Sequence, residues 1–92
     1  MIDIKFEFEN KRAAAYDNKK LIGESTISPS EKFWIIDHTE VDENYGGKGI
    51  AKKLIEIIVN EAKKRDLKIL PLCPYAKKEF EKNKEYQEIM YR

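Results

Sequence analysis

The chain has 92 residues, enough for one small domain, residues 1–92, around a single core. Its 18 basic and 17 acidic residues leave a formal net charge of +1, so no global field draws it to nucleic acid, and any anion site must be built locally. No run has the apolar length of a membrane helix, the N-terminus lacks a signal-peptide pattern, and the single cysteine, Cys73, excludes an intrachain disulfide and fits a reducing, cytoplasmic compartment.

Residues 2–9 alternate strictly, with Ile2, Ile4, Phe6 and Phe8 against Asp3, Lys5, Glu7 and Glu9, the pattern of a strand with one wet face. Asn10-Lys11 turns the chain into 12–17, where three alanines suit a helix as well as a strand. The turn signal Asp17-Asn18-Lys19-Lys20 favours a hairpin, and therefore a strand. A third strand follows over 21–28, closed by Ser28-Pro29-Ser30, and Phe33 to Val41 is the most β-prone run.

The period then changes. From Ile50 the apolar residues Ala51, Leu54, Ile55, Ile57, Ile58, Val59 and Ala62 fall at helical spacing, which predicts an amphipathic helix over about 48–65. Residues 67–72 read as a fifth strand, 75–83 as a short helix, and 84–92 as a tail. Four strands joined by short turns make an antiparallel meander, and strand–helix–strand over 33–72 is long enough for a parallel crossover. The expected class is α+β, a mixed five-stranded sheet with the long helix packed on it. Interleaved Lys and Glu, as in Lys77-Lys78-Glu79, read as solvated surface. Nothing in the charge pattern demands a partner, so a monomer or weak dimer is expected.

Three of the four glycines, Gly46, Gly47 and Gly49, sit in Asn44-Tyr-Gly-Gly-Lys-Gly-Ile-Ala51, at the junction of the fourth strand and the long helix. The first turn of a helix presents unpaired N–H groups that a Ser, Thr, Asp or Asn side chain usually caps. No such residue stands immediately before this helix. The glycines either make a tight turn only, or leave those donors open to an anion that the helix dipole also favours, with Lys48, Lys52 and Lys53 adding positive charge. The spacing is neither that of a nucleoside-triphosphate loop nor that of a dinucleotide loop.

The stretch Asn44-x-x-Gly47-x-Gly49, following Val41 and opening a long helix, resembles the Gln/Arg-x-x-Gly-x-Gly/Ala motif of GNAT-type N-acetyltransferases. The run from Trp34-x-Ile36-x-His38-Thr39-x-Val41 through Gly47-x-Gly49-Ile50-Ala51 to Pro71-x-Cys73-x-Tyr75 is similar to a minimal, single-domain branch of that superfamily. Asn44 stands where Gln or Arg is usual, and Gly46 where Arg is frequent. The resemblance implies that Val41, Asn44, Tyr45, Gly46, Gly47, Lys48, Gly49, Ile50 and Ala51 hold acetyl-coenzyme A, the pyrophosphate on the loop. It also implies that the pantetheine arm enters between the splayed fourth and fifth strands, near Cys73 and Tyr75, and that no metal is needed. Aligning Ala76 with the family's alanine puts Cys73 where an asparagine is common and Phe80 where a tyrosine acts as proton donor, a role Phe80 cannot fill.

A thiol beside a bound thioester either accepts the acetyl group or lines the pocket while an amine attacks directly. His38, the only histidine, is the candidate base for Cys73; Asp37 and Glu40 are others for the acceptor amine. Trp34 and Tyr75 either shape the acceptor end or belong to the core. The function expected is acetyl-coenzyme A-dependent N-acetylation of an unidentified amine. The alternatives are a coenzyme A-binding module without turnover, and an interaction domain with an incidental glycine turn.

Overall fold

The structure is a computed structural model that describes residues 1–91. Strands β1 (Ile2–Glu7), β2 (Arg12–Asp17), β3 (Lys20–Pro29), β4 (Phe33–Val41) and β5 (Lys68–Pro71) form one sheet in the order β1-β2-β3-β4-β5. The first three pairings are antiparallel, and β4 with β5 is parallel. Helix α1 (Ile50–Lys64) makes the crossover between them; α2 (Pro74–Lys82) and a single turn, α3 (Lys84–Gln87), follow β5. This is the mixed α+β sheet expected from the residue pattern.

Helix α1 buries Ile50, Leu54, Ile55, Ile58, Val59 and Ala62 against one face of the sheet. Ala13 and Ala15 of β2 lie in the same core, and side chains that small let the helix backbone come close to the strand. Trp34 is core, 2% exposed, stacked on Phe6 at 5.5 Å between centroids, with the Arg65 guanidinium over its ring. Phe80 of α2 is buried in the same cluster.

The opposite sheet face carries side chains that bond to one another. Arg12 donates to Glu7 at 2.9 Å and to Glu24 at 2.9 Å, and the Tyr16 hydroxyl donates to Glu7 at 2.6 Å. Hydrogen bonds from Tyr16, and then from Arg12, hold the Glu7 carboxyl below its ordinary range.

The element bounds differ from the periodicity at a few ends. β1 stops at Glu7 because Phe8–Asn10 coils into a 3-10 turn closed by Lys11 in the left-handed region. Helix α1 begins at Ile50 rather than 48, since Gly49 has φ 74° and cannot be helical. Helix α2 begins one residue early, at Pro74, whose fixed φ and missing N–H suit a first helical position. The tail adds the turn α3 and a parallel bridge from Met90 to Ile69 along the outer edge of β5.

Candidate acyl-donor cleft and thiol

Two irregularities shape the end of β4. Thr26 pairs with His38 and Ile27 with Ile36, which leaves Asp37 as the unmatched residue of a bulge. The extra residue inverts the alternation. Before it, Trp34 and Ile36 face the core; after it, Thr39 and Val41 do, while His38 and Glu40 turn to the open face. Asp37 is tied down by the Ser28 hydroxyl at 2.6 Å and the Thr26 hydroxyl at 3.3 Å. The pairing of β4 with β5 then stops at Ile36 and Pro71. Both Leu72 and Cys73 donate their backbone N–H to the Ile36 carbonyl, at 3.1 and 3.0 Å, so the two strands part beyond that point.

The loop between β4 and α1 begins with a 3-10 turn, Glu43–Tyr45, capped by the Asp42 carboxylate on the Asn44 N–H at 2.9 Å. Gly47 and Gly49 have φ of 76° and 74°, a region open to glycine and costly for other residues. Nothing lies within 4 Å of where a Cβ would stand at either position, so the space beside the backbone is open. Helix α1 has no side-chain cap, and its first intrahelical bond runs from Lys53 to Gly49. Among the described residues the backbone N–H groups of residues 47–52 therefore have no acceptor.

Four of these residues, Gly47, Gly49, Ile50 and Ala51, line a cleft of about 230 Å³ together with Val41, Tyr45, Gly46 and Tyr75. The walls come from three elements: the last residue of β4, the start of α1 and the first turn of α2. Tyr45 is anchored, its hydroxyl donating to Asp17 at 2.5 Å, which ties the loop to the end of β2. That bond raises the Tyr45 phenol and lowers the Asp17 carboxyl. The Tyr75 hydroxyl has no protein partner among the described residues. Burial, with the nearby Glu79 carboxylate second, raises its phenol and keeps it protonated.

Eight residues expected at the cofactor site thus line one cleft. Asn44 and Lys48 are exposed and do not line it. Cys73 also stands outside the lining, buried at 5% exposure at the foot of the splay. Its thiol donates to the Thr39 hydroxyl at 3.4 Å, and Thr39 shares a second bond of 3.0 Å with Ser25, which is fully buried.

His38 is not brought to Cys73, which corrects the expected base. The bulge places its side chain, 61% exposed, on the open sheet face, 3.6 Å from Glu40. Thr39 takes the position facing the thiol. Sequence reasoning did not single out Thr39, because the bulge that turns it toward the thiol depends on pairing with β3. Trp34 is core, not acceptor site, and Phe80 offers no proton to the cleft.

The chain has clear relatives. The profile of the GCN5-related N-acetyl-transferase family matches residues 6–89. The solution structure of a GCN5-like protein from Staphylococcus aureus is 31% identical, superposes with a TM-score of 0.75, and is covered over 87% of its chain by 97% of this one. A ribosomal-protein-alanine N-acetyltransferase from Brucella melitensis has the same fold at 24% identity and a TM-score of 0.62, over 88% of this chain and 63% of that one. A GNAT family acetyltransferase from Elizabethkingia anophelis with acetyl-CoA bound shares the fold at 16% identity and a TM-score of 0.58, over 77% and 63% of the two chains. No curated protein sequence matches the chain.

Proposed function

The chain belongs to the GCN5-related N-acetyltransferase family, and from that membership we propose that it moves the acetyl group of acetyl-coenzyme A to an amine, with the donor held in the cleft at the start of α1. The observation that carries this reading is the row of unpaired N–H groups over 47–52, beside open space at Gly47 and Gly49. A pyrophosphate satisfies such donors, and the positive end of α1 favours its charge. Lys48, Lys52 and Lys53 add cations at the rim. Val41, Ile50 and Tyr75 offer an apolar wall with one free hydroxyl to the pantetheine arm. The acetyl-coenzyme A bound to the Elizabethkingia relative supports the choice of donor.

Bound acetyl-coenzyme A supplies a thioester carbonyl, and two routes lead from it. In one, the Cys73 sulfur attacks that carbonyl, the carbon–sulfur bond to coenzyme A breaks with its electron pair leaving on sulfur, and the amine then takes the acetyl group from Cys73. In the other, the amine attacks the thioester directly, and Cys73 shapes the site. Either way the proton lost by the amine balances the one gained by the coenzyme A thiol.

Intact mass after incubation with acetyl-coenzyme A, for the wild type and Cys73→Ala, separates the routes. An adduct of one acetyl group that is absent in the variant supports the covalent route. No adduct, but amine-dependent release of coenzyme A thiol that Cys73→Ala retains, supports direct transfer. Absence of thiol release across a broad panel of amines contradicts turnover.

A further inference from the structure

The one thiol of the chain faces neutral hydroxyls rather than a base, and this arrangement has a use. We infer that Thr39 and Ser25 form a reversible hydroxyl pair that accepts from the Cys73 thiol and stabilises its thiolate more strongly, because a hydrogen bond to a charged acceptor is the stronger of the two. With Cys73 protonated, S–H donates to Thr39 Oγ1 at 3.4 Å, and Thr39 donates onward to Ser25 at 3.0 Å, a bond in which either oxygen can be the donor. When the thiol loses its proton, both hydroxyls turn over: Ser25 donates to Thr39, and Thr39 donates to the sulfur. No heavy atom moves. Burial penalises an isolated thiolate, and a hydrogen bond to the charged form opposes that penalty.

The hydroxyl pair acts beside one other local influence, the start of α2, where Cys73 is the N-cap residue and the positive end of the helix also favours a thiolate. From β4, His38 and Glu40 flank Thr39, but their side chains are exposed and associated with each other. From α2 come Tyr75, whose phenol stays protonated, and Glu79, whose side chain is 3.9 Å from Lys82. Helix α1 presents Ile50 and Leu54 to this core, and neither carries charge. The bulge at Asp37 is what makes the contact possible, since regular pairing would have turned Thr39 away from Cys73. Thr39 is a positioning residue here, acting through the sulfur.

The use of the pair in catalysis rests on Cys73 acting as acetyl acceptor; the pair itself is tested without turnover. The rate of alkylation of the full chain by iodoacetamide is followed across pH for the wild type, Thr39→Val, Thr39→Ser and Ser25→Ala. Thr39→Val is expected to slow alkylation at neutral pH about tenfold and to move the profile to higher pH by about one unit. Thr39→Ser restores the wild-type profile, and Ser25→Ala shows a smaller shift in the same direction. A Thr39→Val profile that keeps the wild-type midpoint overturns the inference, including the case in which loosened packing raises the rate equally at every pH. Calorimetric titration of the wild type with acetyl-coenzyme A runs alongside. Failure to bind there sinks the proposed function and leaves the hydroxyl pair standing or falling on its own profile.

Discussion

Gly49 carries two tasks at once: it adopts a left-handed conformation and, having no side chain, leaves the helix start uncapped. Its Cβ position is free of neighbours, so Gly49→Ala introduces no clash, only conformational strain. The expected cost is about 1 kcal/mol of folding stability, read by urea denaturation, with weaker coenzyme A binding as the loop shifts. Gly47→Ala behaves alike. Glu7 makes a different residue-scale test. Its folded carboxyl is depressed by Tyr16 and Arg12, so its contribution is present above the ordinary carboxylate range and is lost as pH falls through the folded value. Denaturation of Glu7→Gln against the wild type across pH should therefore show a stability gap at neutral pH that closes under acid conditions. A gap independent of pH would mean that Glu7 acts through packing instead.

Among elements, α1 contributes more buried apolar side chains than any other, and Leu54 sits in the middle of its buried face, fully excluded from water. Leu54→Ala is expected to cost about 3 kcal/mol, measured by chemical denaturation, because the cavity opens between helix and sheet where neither can collapse. The sequence made this element legible: seven apolar residues at helical spacing fix its inward face, and its ends to within two residues. Strand order and the parallel pairing were equally readable, from short turns on one side and a long crossover on the other. The bulge at Asp37 and the bridge from Met90 to Ile69 were not. The first depends on pairing with β3 and the second on a distant strand edge, and neither partner is local in sequence. The glycine loop was legible as an uncapped helix start because its cause is local: residues that allow a left-handed turn, with no capping side chain immediately before the helix. Cys73 was singled out by resemblance and its hydrogen-bond partner Thr39 was not, since which residue of β4 faces the thiol turns on one inserted residue.

The whole molecule places its helices on one sheet face, so that β4, α1 and α2 converge at a single end of the sheet. That convergence, with the glycine loop, builds the cleft, and it couples ligand binding to folding, because β4, α1 and α2 are elements the core already needs. Coenzyme A at a hundredfold excess over its dissociation constant should raise stability by about 2.7 kcal/mol, seen as a higher midpoint of thermal unfolding. Among the described residues no helix is long and apolar enough to cross a membrane. The central claim is that the open N–H groups of residues 47–52 receive the pyrophosphate, and amide NMR reads those groups one by one. On titration with coenzyme A, the amide resonances of residues 47–52 should shift most and saturate together, while those of the Glu7–Arg12–Glu24 network stay in place. Saturable binding that leaves the 47–52 amides unmoved would contradict the account.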